Sequence, residues 1–494
     1  MPSFAFASTG RYTRPLTGFL TVTILLTVVW SARAEVTETG HALGPCVQAS
    51  QMIDLSQYLA STSGAPDVYS HIVQSAFETR QGDAIKMTAY EENASFVYAV
   101  ASMESHEDLT TAAPPSGQAV HWLRRIIVLN TSTLIVDDEA LPSISASAGL
   151  GCLVSTTAPR ISGRTASIHD ASGEISAEIV LPEKSTYQVQ RAKGQGAVGF
   201  RLEMAPAEYV HGARWVQVLH VSSGGTPNET LQAQMSQAYG RWMLNVTADG
   251  KVFKVTLPPP ADGAGEISIA TSEGKTLLAS RPFPSGILPH GPEGDRLLEL
   301  WDSDYRHAEP ALWDIGRPAD ELQKVVAGGK IAPCRVVDMC CGSGSDAIYL
   351  ASKGFDVTAI DVAPTALAMA EKKADDAHEK VNWILADILA PPDLKPFDFI
   401  YDRGCYHVVR DQNLTAYLET VRRFSHPGTK FLLLASRRDD LAAGEHSGVT
   451  EEELRFDFLS LFDMEWLQEI TLESNRRGPG PAGWSAFLKR NTAP

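Results

Sequence analysis

The chain has 494 residues, which is enough for two or three domains of ordinary size and too much for a single hydrophobic core. Apolar residues make up 44% and charged residues 20% of it, as in globular proteins, so collagen, a long coiled coil and a wholly disordered chain are excluded. The 59 acidic and 42 basic residues give a net charge of −17, which repels phosphate backbones. We therefore expect no nucleic-acid partner.

Residues 1–34 have the form of a secretory signal. Arg11 and Arg14 precede the apolar stretch Leu16–Trp30, and small residues follow at the positions that a signal peptidase reads. This stretch is shorter than the roughly 20 residues that a spanning helix needs. We expect export, so that the protein is secreted, periplasmic or in the secretory-pathway lumen. The alternative is an uncleaved signal anchor, which would make the membrane a partner.

The six cysteines are too sparse for a disulfide scaffold, and no CxxC pair indicates zinc, so we predict no metal site. Cys46 and Cys152 are the two cysteines of the first half of the chain. We predict a disulfide between them in an oxidising compartment.

Residues 35–285 contain many short β-rich runs separated by turns rich in Gly, Ser, Pro and Asn. Such runs are found at 126–129, 133–136, 215–219 and 252–256. Many short strands with few helical stretches predict an antiparallel β-sandwich. Four prolines between 282 and 292 then indicate a stiff linker, which we place at 286–294.

Two segments of this region, 121–138 and 201–221, resemble the carboxy-terminal β-sandwich of heparinase II/III-type polysaccharide lyases. The resemblance covers roughly 90–280 and consists mostly of strand patterning. The helical toroid that precedes the sandwich in such lyases is missing, so the resemblance implies no catalytic residue. It implies a domain that binds something, with carbohydrate as the candidate partner, or one that shields its neighbour.

Residues 295–494 alternate between strands and helices. The predicted strands are 335–339, 355–361, 381–387, 397–402 and 430–436, and the predicted helices are 346–352, 364–374 and 414–424. This alternation predicts an α/β Rossmann-like, doubly wound parallel sheet.

The chemistry-bearing residues lie at the ends of these strands. The turn after the first strand runs from Asp338 to Asp346 through Gly342 and Gly344, whose small size lets backbone amides approach a ligand. Asp361 ends the second strand, where a carboxylate can accept from both hydroxyls of a ribose. A dinucleotide site would need G-x-G-x-x-G, and the third glycine is missing here. Further acids end the third and fourth strands, at Asp387 and Asp402.

This series of residues resembles a class I S-adenosylmethionine-dependent methyltransferase. The segments 311–326, 336–370, 397–409 and 447–454 together resemble the thiol, thiopurine, halide and tellurite-resistance methyltransferases. The resemblance implies S-adenosylmethionine as cofactor and a small-molecule substrate beneath an aromatic lid. It assigns Trp313, Asp338, Gly342, Gly344, Asp361 and Asp387 to the cofactor, and Trp301, Tyr305 and Arg403 to the substrate.

Asp402 and His407 follow the fourth strand, and we predict that both are catalytic residues facing the transferred methyl group. His407 would act as a general base that raises the thiolate fraction of the substrate. Cys340 occupies a position where these enzymes usually have glycine, and a positive φ there would cost about 1 kcal/mol. We interpret Cys405 as an inert, packed residue at a strand end.

We therefore expect an exported protein in which a β-sandwich precedes an S-methyltransferase. The substrate would be a small thiol such as sulfide or methanethiol, or a selenium or tellurium relative. The 34 acidic and 23 basic residues of 293–494 disfavour methylation of RNA or DNA. The alternatives are a polysaccharide-lyase-related protein and a carbohydrate-binding protein whose methyltransferase-like half has lost its cofactor. Because S-adenosylmethionine is made inside cells, export leaves open how the cofactor reaches the enzyme.

Overall fold

The computed structural model describes residues 52–54, 85–93, 95–105, 120–130, 132–141, 152–170, 173–193, 198–206, 214–222, 231–238, 241–257, 265–289, 291–307, 310–438, 448–475 and 480–492. The predicted leader and Cys46, one half of the predicted Cys46–Cys152 disulfide, lie outside these ranges. Within them, no helix has the length and apolar character required to cross a membrane.

The amino-terminal half of the described chain is built from strands, as the sequence predicts. They are β1 (Met52–Asp54), β2 (Ile85–Glu92), β3 (Phe96–Ser105), β4 (Val120–Leu129), β5 (Thr133–Leu141), β6 (Cys152–Ser155), β7 (Arg160–Ser162), β8 (Thr165–Asp170), β9 (Gly173–Leu181), β10 (Ser185–Lys193), β11 (Val198–Pro206), β12 (Arg214–Ser222), β13 (Gln232–Ala238), β14 (Arg241–Ala248), β15 (Lys251–Leu257), β16 (Glu266–Thr271) and β17 (Thr276–Pro282).

These strands form three sheets with the orders β1-β6-β11-β10, β2-β3-β4-β5-β12-β9-β8-β7 and β13-β14-β15-β16-β17. Neighbouring strands are antiparallel except for the parallel pair β1 and β6. The eight-stranded sheet is covered on both faces. On β4, Ile126 belongs to a hydrophobic cluster with Leu202 of the four-stranded sheet, while the next residue, Ile127, clusters with Phe253 of the five-stranded sheet. The predicted predominance of sheet is confirmed, whereas the two-sheet sandwich is not.

The carboxy-terminal half alternates between helices and strands. Its helices are α1 (Gly291–Arg306), α2 (Asp320–Ala327), α3 (Ser345–Ser352), α4 (Pro364–Ala377), α5 (Tyr406–Phe424) and α6 (Glu451–Phe458), and its strands are β18 (Arg335–Met339), β19 (Asp356–Asp361), β20 (Asn382–Leu385), β21 (Phe397–Arg403), β22 (Ser425–Ser436), β23 (Phe462–Thr471) and β24 (Ala482–Arg490).

The seven strands form one sheet of order β20-β19-β18-β21-β22-β24-β23, in which the first five run parallel and β24 runs antiparallel to both of its neighbours, β22 and β23. Each face of this sheet is buried under helices. Val337 on β18 clusters with Val421 of α5, whereas its neighbour Val336 clusters with Leu350 of α3. The predicted Rossmann-like fold is therefore confirmed, and the carboxyl ends of β18, β19, β20 and β21 share one edge.

The segment predicted as a linker (286–294), together with Ser285 before it, joins the two halves by direct contacts. The Ser285 N–H donates to the carbonyl of Leu385 at the end of β20 (2.9 Å), and Tyr90 of β2 exchanges backbone hydrogen bonds with Gly286 and Leu288 (3.2 and 2.9 Å). The Leu288 side chain is 1% exposed and clusters with Leu385 and with Leu367 of α4. These residues therefore cover the edge of the parallel sheet beside the predicted cofactor site.

We predict that Leu288→Ala destabilises the full-length protein by about 2–5 kcal/mol, because it leaves a cavity between the linker segment and α4. Urea denaturation followed by tryptophan fluorescence would measure the change. Leu459→Ala is the matched control, since Leu459 is 72% exposed and its loss should change stability by about 0.5 kcal/mol or less. Equal effects of the two substitutions would show that the linker contact contributes nothing.

Candidate active site

A cavity of about 1010 Å³ opens at the carboxyl ends of the parallel strands. It is lined by the segments that follow β18, β19, β20 and β21, by α1 and by residues 312–317. The predicted site residues that line it are Trp301, Tyr305, Trp313, Asp338, Gly342, Gly344, Asp361, Asp387, Arg403 and His407. Every predicted site residue except Asp402 therefore lines the cavity.

The turn between β18 and α3, which we call the glycine loop (residues 340–344), requires glycine at two positions. Gly342 and Gly344 have φ of 54° and 80°, in the left-handed region. A Cβ atom on Gly342 would lie 2.6 Å from the Tyr305 hydroxyl, and one on Gly344 would lie 2.6 Å from the Trp383 ring. The loop backbone thus contacts α1 on one side and β20 on the other, with no room for a side chain.

Asp361 holds this loop against β19. One carboxylate oxygen accepts from the Gly342 N–H (2.7 Å) and the other from the Ala363 N–H (2.8 Å). Burial raises the pKa of Asp361, and these two N–H groups oppose that rise. Asp387 is arranged similarly after β20: its Oδ1 accepts from the Leu389 N–H (2.9 Å), and burial raises its pKa.

Asp338 is the most exceptional of these carboxylates. It is 2% exposed, and no described residue hydrogen-bonds to its Oδ2 atom. Burial raises its pKa well above the usual value, and the nearby carboxylates of Asp346, Asp402 and Asp361 raise it further. A positively charged ligand in the cavity would supply the missing partner.

Three aromatic residues, Trp301, Tyr305 and Trp313, form an aromatic lid beside the glycine loop. The Trp313 indole N–H donates to the Tyr305 hydroxyl (2.9 Å), and the Trp301 and Trp313 rings meet edge to face with centroids 5.7 Å apart. Asp302 fastens α1 to α4 by accepting from the backbone N–H (2.7 Å) and the hydroxyl (2.9 Å) of Thr365.

Two polar residues that were not predicted from the sequence, Ser343 and Lys373, connect the glycine loop to Asp314, which follows Trp313. The Lys373 ammonium donates to the Ser343 hydroxyl (2.5 Å), which donates to Asp314 (2.6 Å). Position 343 lies between the two glycines, where a hydroxyl signals little by itself, and Lys373 resembles an ordinary solvated helix residue. Only the packing of α4 against the loop identifies the connection.

Arg403 lines the cavity but is largely occupied by backbone carbonyls. Its two terminal nitrogens donate to the carbonyls of Trp313 and Glu473, both at 3.1 Å. Its Nε has no hydrogen-bond partner among the described residues. Arg403 therefore holds two cavity-lining segments together through one hydrogen bond from each terminal nitrogen.

Asp402 differs from its prediction as a catalytic residue. Its carboxylate is 0% exposed, does not line the cavity, and accepts from the N–H groups of Cys405 and Tyr406 at the start of α5. The Tyr417 hydroxyl also donates to it (2.6 Å). Burial raises its pKa to about 6, opposed by these donors. Asp402 therefore stabilises the helix start, because free N–H groups there attract a carboxylate.

His407 lies on the first turn of α5 and lines the cavity. Burial lowers its pKa to about 4, so the ring is neutral near pH 7. The Ser436 N–H donates to its Nδ1 atom (3.3 Å). In the neutral ring the proton therefore lies on Nε2, which makes His407 a hydrogen-bond donor and a weak base.

Cys340 and Cys405 form a disulfide across the ends of β18 and β21, with Cα atoms 5.7 Å apart. The interpretation of Cys405 as an inert packing residue is therefore wrong, because its sulfur is bonded to the glycine loop. Cys340 has φ of 57°, which explains why a glycine is usual at this position.

Comparison with known proteins relates this site to characterised families. Residues 336–428 match the model of a family described as a methyltransferase domain. A 2-heptyl-1-hydroxyquinolin-4(1H)-one methyltransferase of Mycobacteroides abscessus is 30% identical over 210 residues, which cover 40% of this chain and 90% of that relative. A probable thiol methyltransferase 2 of Arabidopsis thaliana is 22% identical over 174 residues, 33% of this chain and 76% of the relative. The crystal structure of the N-methyltransferase NodS from Bradyrhizobium japonicum WM9 in complex with S-adenosyl-L-homocysteine covers 39% of this chain and 97% of its own at 16% identity, with a TM-score of 0.33.

We predict that Asp361→Ala weakens S-adenosylmethionine binding at least about tenfold, because each lost hydrogen bond to a charged group costs about 1.5–3 kcal/mol. The substitution also removes the carboxylate that holds the glycine loop. Isothermal titration calorimetry would measure the dissociation constant. Asp356→Ala, at the exposed start of the same strand, is the control and should bind like the wild type. An unchanged constant for folded Asp361→Ala would remove this residue from the site.

Proposed function

Since the chain belongs, through its carboxy-terminal half, to the class I S-adenosylmethionine-dependent methyltransferases, we propose that it methylates the sulfur of a small thiol. The cofactor, when bound, supplies an electrophilic methyl group on a sulfonium. The protein then has to hold cofactor and acceptor in line and exclude water.

The residues of the cavity fit this cofactor. Asp338 offers a buried oxygen without a hydrogen-bond partner among the described residues, which suits a cationic ligand. Gly342 and Gly344 present backbone without side chains, and Asp361 and Asp387, which line the cavity, would accept hydrogen bonds from ribose or adenine groups. Trp313 would cover the cofactor from the lid.

The observation that carries the thiol proposal is the state of His407. A neutral imidazole with a pKa of about 4 and an occupied Nδ1 is a weak general base. The acceptor must therefore ionise without strong help from the protein. A thiol, with a pKa of about 8.5, is a few per cent thiolate at pH 7, whereas an alcohol is not ionised at all. The Nε2–H of His407 would donate to the developing or resting thiolate.

The size and lining of the cavity favour a thiol on an apolar body over free sulfide. A cavity of about 1010 Å³ is at the upper end of the range for drug-sized ligands, which leaves room for an acceptor beside the cofactor. The apolar side chains that line it include Leu297, Leu312, Ile315, Val408, Val409 and Leu472. The thiol methyltransferase among the relatives supports the same acceptor class.

The second candidate acceptor is the N-hydroxyl group of an aromatic heterocycle. It is favoured by the relative that acts on 2-heptyl-1-hydroxyquinolin-4(1H)-one, which matches over 90% of its length. Such a hydroxyl also ionises without a strong base, so it meets the same constraint from His407.

Export and a carbohydrate-binding role of the amino-terminal half remain parts of this proposal. The first is supported by the signal-like pattern of residues 1–34 and the second by the heparinase II/III-like patterning of the strands. Protein sequencing of the mature amino terminus and a polysaccharide-binding screen with the full-length protein would test them.

We predict that an aryl thiol is methylated fastest when full-length protein and S-adenosylmethionine are given, separately, an aryl thiol, methanethiol, sulfide, a 2-alkyl-1-hydroxyquinolone, a catechol and a carboxylic acid. Liquid chromatography with mass spectrometry would quantify the products. Fastest turnover of the hydroxyquinolone would move the assignment to the second candidate. Fastest turnover of the catechol or the carboxylic acid would contradict both.

We predict that His407→Ala lowers kcat/KM for the thiol by about 10- to 100-fold, the value of one hydrogen bond to a charged group. His407→Gln keeps an N–H donor and should retain more activity. Because the pKa of His407 lies near 4, the wild-type profile between pH 5.5 and 9 should follow the thiol's own ionisation, rising with pH. An acid limb near pH 6.5 that disappears in His407→Gln would restore the general-base role.

A further inference from the structure

Cys340 and Cys405 join two segments that have separate tasks in the cavity. Cys340 begins the glycine loop after β18, and Cys405 precedes α5 after β21, the parallel neighbour of β18. Both residues line the cavity. The bond between them therefore connects the loop that would hold the cofactor to the segment that carries His407.

We propose that the Cys340–Cys405 pair is a redox-sensitive site, in which the oxidised form holds the glycine loop in its cofactor-binding conformation and reduction lowers the affinity for S-adenosylmethionine. This inference rests on cofactor binding and is independent of the acceptor.

The glycine loop is held by different contacts on its two sides. On the β19 side, the Cys341 N–H donates to the carbonyl of Ile360 (2.9 Å) and the Gly342 N–H donates to Asp361. On the β21 side, the parallel pairing with β18 ends at Met339 and Asp402. Beyond that point, among the described residues, the disulfide is what bonds the loop to the β21 side.

Cys340 has a backbone conformation that is unfavourable for cysteine. Its φ of 57° lies in the region that glycine adopts freely and a residue with a Cβ atom adopts at a cost. A cysteine at this position disfavours the loop conformation unless something holds it there. The covalent link to Cys405 does so, and reduction would leave the unfavourable backbone without that support.

The Cys405 end of the disulfide is held by hydrogen bonds that do not depend on the disulfide. The Cys405 N–H donates to Asp402 (3.0 Å), and the Gly404 N–H donates to the carbonyl of Leu434 (2.9 Å). Cys405 is 4% exposed. When the bond breaks, we therefore expect the change to begin at Cys340, whose backbone conformation is unfavourable, rather than at the start of α5.

The chemistry needs an external reductant that enters through the cavity. Two molecules of a low-molecular-weight thiol supply two electrons and two protons, the sulfur–sulfur bond breaks to two cysteine thiols, and the reductant leaves as its own disulfide. Because both cysteines line the cavity, a bound cofactor should also shield the bond from reductant.

The test uses full-length protein purified without reductant and S-adenosyl-L-homocysteine as the probe. The reductant is tris(2-carboxyethyl)phosphine, which is not itself a thiol substrate. Mass spectrometry of non-reduced peptides should find Cys340 linked to Cys405. Calorimetry should show weakening of binding by about fivefold or more after reduction, the lower end of coupling between two sites. The probe should also slow reduction of the bond.

Three variants complete the test. Cys405→Ser should bind the probe with the affinity of the reduced wild type, and the phosphine should not change that affinity. Cys340→Gly supplies the backbone conformation without the link and should also lose its response to the phosphine. Cys334→Ser removes a free cysteine that does not line the cavity and should keep the wild-type response.

Absence of the Cys340–Cys405 peptide, or equal affinity of oxidised and reduced wild type, would overturn the proposal. The wild-type comparison decides the question even if Cys405→Ser fails to fold. Weak binding by both forms would count against cofactor binding itself, and strong, equal binding against redox control alone.

Discussion

Carboxylates crowded at one edge of a parallel sheet are the constraint on which the rest of this active site depends. Asp338, Asp361 and Asp402 end three neighbouring strands, and Asp387 follows a fourth. Burial disfavours the ionised form of each of them, and repulsion from neighbouring carboxylates adds to this at Asp338. Each carboxylate therefore needs hydrogen-bond donors, and the identity of these donors determines whether the residue is structural or available to a ligand.

Most of these charges are met from within the protein. Asp402 is satisfied by the start of α5 and by Tyr417, and Asp361 by the backbone of the glycine loop. Asp346 accepts from the Ala319 N–H and the Tyr401 hydroxyl. Asp338 is left with an oxygen that no described group satisfies. The Oδ2 atom of Asp338 thus remains available to a cationic ligand in the cavity.

The sequence predicts the parallel sheet and the strand-end residues of the cavity because these follow from local patterns. Strand–helix alternation sets the shared edge, and the acids at the strand ends must then converge there. Gly342 and Gly344 are recognisable because a tight turn between strand and helix excludes side chains.

The role of Asp402 could not be predicted from a local sequence pattern. A carboxylate at a strand end looks alike whether it faces a ligand or the start of a helix, and the difference depends on where α5 begins. The Cys340–Cys405 bond joins residues 65 positions apart, and only the pairing of β18 with β21 brings them together. The contacts of Leu288 likewise depend on how the two halves pack, which no periodic pattern records.

Asp338 would be the buried partner of a cationic cofactor. Its raised pKa means that it carries a proton more often than an ordinary aspartate, and a bound cation would remove that proton. Calorimetric titration of S-adenosylmethionine in two buffers of different ionisation enthalpy, near neutral pH, measures this directly. We predict net proton release on binding that is lost in Asp338→Asn. Binding without proton release, or release unchanged in Asp338→Asn, would contradict the claim.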